Sequence, residues 1–248
     1  MTLRAYANGA VFVEEHPGAD PPVVALHGWG RSRADLAGSL AGHHSFAVDL
    51  PGFGASPEPP TAWGASEYAD CLGAVLTEIG GPPALLLGHS FGGRVAAHLG
   101  AAYPKLVAGI VFAGTPLLRP SARRRPTLRY RLARAAWKMG LLPDSRMEER
   151  RQRYGSADYR AASPRMREVL VRVVNEEYDK QLEQLTCPVA FVWGEFDGAA
   201  PIELARRAAE HVPHLVTFET VPGVGHDVHL DAPDRVREVL QKLLAEVA

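Results

Sequence analysis

The chain has 248 residues, a formal net charge of −1 at pH 7, and 46% hydrophobic and 22% charged residues. This composition is typical of globular proteins and excludes a disordered or collagen-like chain, and the near-neutral charge argues against non-specific nucleic-acid binding by the whole protein. The length fits one continuous α/β core.

The N-terminal residues and the two cysteines indicate a cytoplasmic protein. Arg4, Asn8 and Glu14 interrupt the first apolar residues, which therefore do not resemble a secretion signal. No window approaches ~18 uninterrupted apolar residues, so we expect no membrane span. Cys71 and Cys187 have neither the spacing of metal ligands nor that of a disulfide framework. Two reduced, mostly buried thiols are the expectation.

Apolar runs alternate with helix patterns through the first 115 residues. LRAYA and AVFVEE, joined at Asn8 and Gly9, predict a β-hairpin with a type I′ turn. Near-continuous apolar runs, typical of parallel strands covered on both faces, follow. They are PVVALH at 22–27, FAVDL at 46–50, ALLLGH at 84–89 and LVAGIVFAG at 106–114. Helix patterns lie between them, at Ser32–Leu40 with Ser32 as its cap, at Ala65–Ile79 and at Phe91–Tyr103.

After Pro116 the alternation stops, and residues 116–184 predict Arg-rich helices broken by proline and glycine. Two more strand patterns follow, VAFVWG at 189–194 and LVTFETV at 215–221, with a helix starting near Pro201 between them and a last helix at 232–247. We therefore predict an α/β fold with a mostly parallel, doubly wound sheet. Residues 1–115 and 185–248 form its core, and residues 116–184 form an inserted helical cap.

The cap segment carries most of the positive charge. Residues 116–180 contain fifteen Arg and two Lys against eight acidic residues, a balance of +9. A solvated helical surface is the simplest interpretation, but these basic side chains cannot all be paired within the segment. Some would dock the cap on the negatively charged core, and some would face the cleft, where a guanidinium favours carboxylate or phosphate. Arg125, Arg129 and Arg172 are the candidates for binding an anionic substrate.

A nucleophile motif lies at residues 88–92, Gly-His-Ser-Phe-Gly, between a strand pattern and a helix pattern. G-x-S-x-G in this context predicts a sharp strand-to-helix turn on which Ser90, in a strained backbone conformation, exposes its hydroxyl above the sheet. The pattern alone also occurs by chance in a chain with 24 glycines. The strand before it and the helix after it favour a nucleophile.

A serine hydroxyl needs a base within hydrogen-bond reach and a carboxylate that orients the base. Asp197 and His226 each follow a predicted strand, in the order acid then histidine that this arrangement uses. Glu195 is the alternative acid, and His229 is the alternative base. We favour Asp197 because it lies at the loop tip, and His226 because His229 directly precedes the final helix.

Two further polar residues stand near predicted strand ends. Asp49 precedes a Pro-Gly-Phe-Gly loop, where its carboxylate is expected to cap backbone amides, and His89 is expected to be a packed neighbour of the nucleophile. The oxyanion of an acyl-transfer intermediate needs donors, and the backbone N–H groups of Phe91 and Trp29 are the candidates. The Trp29 side chain would line the acyl pocket or lie in the core.

The motifs together resemble the α/β-hydrolase superfamily along nearly the whole chain outside residues 116–184. They are HGWG at 27–30, DLPGFGAS at 49–56, GHSFGG at 88–93, WGEFD at 193–197 and GVGH at 223–226. The resemblance implies a serine esterase that cleaves a small carboxylic ester through an acyl-enzyme and needs neither a metal nor an organic cofactor. Ser90 distinguishes the chain from epoxide hydrolases and haloalkane dehalogenases, which use Asp at this position.

A second resemblance leaves the chemistry open. Menaquinone-pathway synthases that eliminate pyruvate (SHCHC synthases) share the triad and have an arginine four residues after the serine, where Arg94 stands here. That likeness implies a lyase acting on an anionic substrate, with Arg94 at the site, although Arg94 could equally pair with a neighbouring carboxylate. A catalytically inert binding protein of the same fold is a third alternative, against which the intact triad argues.

Overall fold

The computed structural model describes residues 2–119, 128–154 and 156–247. In chain order the strands are β1 (Thr2–Tyr6), β2 (Val11–His16), β3 (Ala19–Leu26), β4 (His43–Asp49), β5 (Ala84–His89), β6 (Val107–Ala113), β7 (Val189–Gly194) and β8 (Leu215–Val221). They form one eight-stranded sheet in the order β1-β2-β4-β3-β5-β6-β7-β8. The first two strands pair antiparallel with their neighbours, and all later neighbours pair parallel. The predicted fold class is confirmed.

The α-helices of the described residues lie between and after these strands. They are α1 (Ala37–Leu40), α2 (Ala65–Ile79), α3 (Phe91–Ala102), α4 (Leu128–Lys138), α5 (Asp144–Tyr154), α6 (Ala157–Ala161), α7 (Pro164–Val173), α8 (Asp179–Glu183), α9 (Ile202–Ala209), α10 (Val228–Asp231) and α11 (Pro233–Val247). Helices α4 to α8 follow β6 and precede β7, in the segment predicted to be a cap. None of the helices in the described ranges has the length and apolarity needed to cross a lipid bilayer.

Both faces of the sheet are covered, which explains the unbroken apolar runs of the parallel strands. In β5, Leu86 packs into a core with α2 and α3, whereas Leu85 and Leu87 pack into a second core with α1 and α11. All three leucines are fully buried. Cys71 and Cys187 are free and lie in intermediate and buried positions, as expected.

The N-terminal hairpin is present, but its turn differs from the predicted type I′ turn. Tyr6 pairs with Val11, so four residues connect β1 and β2. Ala7 and Asn8 adopt positive φ angles of 49° and 57°. The Ala7 N–H donates to Glu78 on α2 at 2.8 Å, and this tertiary contact holds the wider turn.

Ser32 does not cap the first helix through its side chain, contrary to the sequence prediction. The chain after Ser32 begins instead with a 3₁₀ turn at Arg33–Leu36, and Asp49 accepts the Arg33 N–H at 2.8 Å. The buried Asp49 carboxylate also accepts the Ala55 N–H at 2.8 Å and pairs with the Arg33 guanidinium. Asp49 therefore has the amide-capping role that the sequence predicted.

The segment predicted to be a cap packs on the α2 and α3 face of the sheet. Met166 and Val169 of α7 are buried in the same core as those helices. Arg172 donates to Glu67 at 2.5 Å and to the Ala62 carbonyl oxygen at 2.9 Å. These contacts are of the kind expected of an arginine that docks the segment on the core.

Candidate active site

Ser90 lies at the turn between β5 and α3 with φ 50° and ψ −111°, the strained conformation predicted for it. Glycine allows the strand and helix to approach this closely. A Cβ atom added to Gly88 would lie 2.5 Å from the Gly93 Cα atom, and one added to Gly92 would lie 2.1 Å from the Leu26 carbonyl oxygen. The turn therefore needs glycine on both sides of the serine.

Ser90, His226 and Asp197 form a continuous hydrogen-bond series. His226 Nε2 lies 3.0 Å from Ser90 Oγ, and His226 Nδ1 lies 2.9 and 3.0 Å from the two carboxylate oxygens of Asp197. Because an ionised carboxylate only accepts, Nδ1 carries the proton and Nε2 offers a lone pair to the serine hydroxyl. This is the tautomer that a general base toward Ser90 requires.

Asp197, the candidate acid, is fixed by backbone amides of the loop that carries it. The Asp197 side chain is fully buried, and its Oδ1 atom accepts the N–H groups of Ala199 and Ala200 at 2.9 and 2.7 Å. Glu195, the alternative acid, is exposed and accepts the Gly223 N–H at 3.0 Å instead. The geometry therefore favours Asp197 as the partner of His226.

The loop after β3 lies beside the nucleophile, as the oxyanion prediction requires. A Cβ atom added to Gly28 would lie 3.4 Å from Ser90 Cβ. Phe91 is the first residue of α3, so its N–H has no acceptor within the helix. The Trp29 ring packs edge-on against Phe53 and Phe91 with centroid distances of 5.0 and 5.5 Å. The Trp29 ring is partly buried against the core, which is one of the two positions considered from the sequence.

His27 ties this loop to the end of β4. Its Nδ1–H donates to the Gly28 carbonyl oxygen at 2.7 Å, and its Nε2 accepts the Leu50 N–H at 3.1 Å. Acceptance at Nε2 requires the neutral ring, because a protonated imidazole has only donors. Burial lowers the pKa of His27 below its ordinary value, despite the opposing effects of its Gly28 bond and of the nearby Asp49 charge.

We expect His27→Gln to make folding stability less dependent on pH. The folded state resists protonation of His27, whereas the unfolded state binds a proton below about pH 6.5, so stability falls as pH drops through that value. A glutamine amide can donate to Gly28 and accept from Leu50 without titrating. Urea unfolding between pH 7 and pH 5 should show a slope shallower by up to ~1.4 kcal/mol per pH unit. An unchanged slope would contradict the role assigned to the neutral ring.

His89 lies behind the triad as a packed neighbour, which agrees with the sequence prediction. Its Nε2–H donates to the His226 carbonyl oxygen at 3.1 Å. Burial, with smaller contributions from His229 and His226, lowers its pKa well below the ordinary value. His229, the alternative base, is buried against His89 with ring centroids 3.8 Å apart. The geometry therefore favours His226 over His229 as the base.

Arg94 takes neither of the two positions considered from the sequence. Its guanidinium donates to the carbonyl oxygens of Pro116 and Val173, both at 3.0 Å, and lies over the Tyr178 ring at 5.7 Å. It faces a cavity of about 250 Å³ whose described lining does not include the triad. Desolvation lowers the pKa of Arg94.

The structure describes only one of the three cap arginine side chains that were predicted to bind substrate. Arg125 and the side chain of Arg129 lie outside the described residues. Arg172 is occupied by its bonds to Glu67 and Ala62, so in this conformation it docks the cap. A role for Arg172 in binding substrate would require these bonds to break.

Sequence reasoning missed an ion pair beside the base. Arg31 lies 2.6 Å from Asp227, the residue after His226, and 3.5 Å from Asp35. The pair links the loop after β3 to the loop that carries the base. The sequence does place Arg31 directly after HGWG and Asp227 directly after the predicted base. These two positions could have indicated the ion pair.

Residues 23–239 match the alpha/beta hydrolase family. A pimeloyl-[acyl-carrier protein] methyl ester esterase of Xanthomonas axonopodis pv. citri is 30% identical, with 93% of this chain and 97% of the relative covered. The esterase of the same name from Chromobacterium violaceum is 29% identical, with 91% and 95% covered.

Solved structures share the fold at lower identity. A bromoperoxidase from Bacillus anthracis superposes with a TM-score of 0.75 at 22% identity, covering 98% of this chain and 100% of that chain. A thermophilic esterase from Thermogutta terrifontis superposes with a TM-score of 0.74 at 22% identity, covering 100% and 99%. These two similarities concern the fold alone.

Proposed function

The chain belongs to the alpha/beta hydrolase family and is a carboxylic ester hydrolase, and we propose that Ser90, His226 and Asp197 are its catalytic triad. The observation that carries this assignment is the 3.0 Å contact between Ser90 Oγ and His226 Nε2, continued by His226 Nδ1 to the buried Asp197. Chain order and strand-end positions support it as well.

In the proposed reaction Ser90 Oγ attacks the ester carbonyl carbon while His226 Nε2 takes the hydroxyl proton. The negative charge that develops on the carbonyl oxygen is stabilised by the backbone N–H groups of Phe91 and Trp29. Collapse of this intermediate breaks the bond to the alcohol, which leaves with the proton held by His226. Water, deprotonated by His226, then attacks the acyl-enzyme, and the acid leaves as Ser90 regains its proton.

Asp197 keeps the imidazole in the reactive tautomer and stabilises its protonated form. Two loop amides bind one carboxylate oxygen, so the acid is fixed before substrate binds. Donors and charges that are fixed in advance need no reorganisation as charge develops, which is why such arrangements contribute strongly to rate. The loop of Asp197 is therefore part of the proposed machinery.

For the substrate we propose a methyl ester at the far end of an acyl chain that is attached to a carrier. The support is the similarity to esterases named for a pimeloyl-[acyl-carrier protein] methyl ester over more than nine-tenths of the chain. Residues 116–184 would act as the cap over the site, and its exposed arginines offer a cationic surface to an anionic carrier. The exposed arginines of the described helices α4, α5 and α7 include Arg131, Arg134, Arg146 and Arg165.

We also propose a cytoplasmic location. Both cysteines are free, which fits a reducing compartment.

We expect a methyl ester with a free distal carboxylate to be cleaved with a higher kcat/KM than a neutral methyl ester of equal length. One charge contact of ~1 kcal/mol corresponds to a gain of about fivefold, and the gain should shrink as salt screens it. Steady-state assays at low and high ionic strength measure this, with Arg131→Gln plus Arg134→Gln as the comparison. If the carboxylate gives no gain at low ionic strength, the cap charge is structural.

The same assays separate the esterase from the lyase alternative. An esterase releases acid and alcohol in equal amounts from simple esters, including short p-nitrophenyl esters. An enzyme that eliminates pyruvate would leave those esters intact. Arg94, the residue that suggested the lyase, is held by Pro116 and Val173, so its described contacts do not favour that reaction.

A further inference from the structure

Three side chains behind the triad form a cluster that the proposed hydrolysis does not use. His89 at the end of β5, Asp227 after the base, and His229 on α10 each bring one potential ligand atom within 4.8 Å of the others. No other group of three His, Cys, Asp or Glu side chains in the described part of the chain meets this condition. The cluster lies between the sheet and the loop of His226.

Three of the four imidazole nitrogens of this cluster lack a hydrogen-bond partner among the residues that the structure describes. They are His89 Nδ1 and both ring nitrogens of His229, which are buried and make no hydrogen bond to any described residue. Leaving such an atom unsatisfied costs ~1–3 kcal/mol, so the great majority of buried polar groups are paired. Because His89 donates its Nε2–H to the His226 carbonyl oxygen, its Nδ1 atom carries a free lone pair.

Residue 28 is a glycine, so no side chain fills the space beside the lone pair of His89 Nδ1. A Cβ atom added to Gly28 would lie 2.8 Å from His89 Nδ1. Both histidine side chains are about 1% exposed, whereas the Asp227 side chain is 35% exposed and connects the cluster to solvent. A small ion could therefore reach the nitrogens along the carboxylate.

The charges around the cluster favour a cation. Arg31 is the guanidinium next to it and is shared by two carboxylates, Asp227 at 2.6 Å and Asp35 at 3.5 Å. These three groups carry one net negative charge beside two imidazole rings. Arg31 binds the Oδ2 atom of Asp227 and leaves its Oδ1 atom available.

We propose that His89, His229 and Asp227 bind a divalent transition-metal ion, for which Zn²⁺ is the probe. Two imidazoles and one carboxylate suit Zn²⁺ and its neighbours, whereas Mg²⁺ and Ca²⁺ prefer oxygen ligands alone. With metal–ligand distances of about 2.0–2.1 Å, ligand atoms of a tetrahedral site lie about 3.4 Å apart. The ligand atoms lie within 4.8 Å of one another, so their widest separation must shorten by up to about 1.4 Å when the ion binds.

Such an ion would stabilise the loop that carries the proposed base. Asp227 directly follows His226, and His89 donates to the His226 carbonyl oxygen, so two of the three ligands hold the backbone of that residue. Binding of Zn²⁺ to the folded state alone raises the midpoint of thermal unfolding. At a hundredfold excess over the dissociation constant the rise is about 5–10 °C for a chain of this size.

Calorimetric titration of the metal-free full-length protein with Zn²⁺, paired with thermal unfolding, tests the proposal. We expect one ion per chain in the wild type. His229→Phe keeps an aromatic ring against His89 but removes both nitrogens, and it should weaken binding at least ~10-fold and remove the thermal shift. His226→Ala and His211→Ala should both retain the ion, since neither residue is a ligand.

The variants distinguish binding of the ion at the cluster from binding at the triad. Loss of binding in His226→Ala would place it on the triad and overturn the proposal, and so would an unchanged affinity in His229→Phe. No binding by the wild type would also overturn it. If His229→Phe does not fold, Asp227→Asn serves instead, with the same loss of affinity expected. Ester turnover is measured separately, so failure of this site would leave the proposed hydrolysis standing.

Discussion

Replacing Ser90 with alanine is expected to abolish ester turnover while leaving the fold intact. In the proposed reaction the Ser90 hydroxyl oxygen becomes acylated, and loss of a triad nucleophile typically lowers the rate of the chemical step ~10⁶-fold. Alanine tolerates the φ of 50° no worse than serine, because both carry a Cβ atom. Steady-state kinetics and the unfolding midpoint of the same preparation measure the two effects.

Ser32→Ala is the matched control for this experiment. Ser32 lies in the loop after β3, and its side chain makes no cap hydrogen bond, so its loss should leave turnover near the wild-type value. A fluorophosphonate probe should label the wild type and Ser32→Ala on Ser90 and leave Ser90→Ala unlabelled. Retention of more than a few per cent of activity in Ser90→Ala would refute the nucleophile assignment.

Asp197→Asn is expected to lower turnover about 10⁴-fold by reversing the tautomer of His226. The N–H groups of Ala199 and Ala200 both point at Oδ1, so the amide oxygen of an asparagine would occupy that position. Its NH₂ group would then face His226 Nδ1 and donate to it. The proton of the imidazole would move to Nε2, which could no longer accept the Ser90 hydroxyl proton.

Glu195→Gln is the comparison for the acid. Glu195 is exposed and bonded to the Gly223 N–H, so its amide should leave kcat/KM close to the wild-type value. Parallel kinetics of the two variants, with circular dichroism to confirm folding, decide the assignment. A severe loss in Glu195→Gln together with a mild one in Asp197→Asn would show that the acid was misassigned.

The sheet and the juxtaposition of Ser90, Asp197 and His226 could be predicted because their signals are local. A strand covered on both faces, such as β5, must be apolar throughout, and G-x-S-x-G requires a particular turn. Asp197 and His226 follow strands whose carboxyl ends meet at one edge of the sheet. Each of these inferences needs only a short window of sequence.

What could not be predicted depends on residues distant in the chain. The turn at Ala7 widens because its N–H reaches Glu78, and Asp49, 16 residues away, rather than the Ser32 side chain accepts an N–H at the start of the first helical turn. The cluster behind the triad combines His89 with a side chain 140 positions later, His229, at a spacing that matches no metal-ligand motif. Side-chain partners of this kind follow from packing and have no signal in a single sequence.

The strained backbone conformation at residue 90 depends on the turn and not on which side chain stands there. Ser90 has a φ of 50°. A positive φ costs any residue with a Cβ atom ~1–3 kcal/mol, so the strain arises mainly from the turn between β5 and α3 and is of similar size for serine, cysteine or aspartate. Exchanging one nucleophile for another at residue 90 therefore needs no change in backbone geometry. A turn built in this way lets the chemistry diversify during evolution while the scaffold around it stays unchanged.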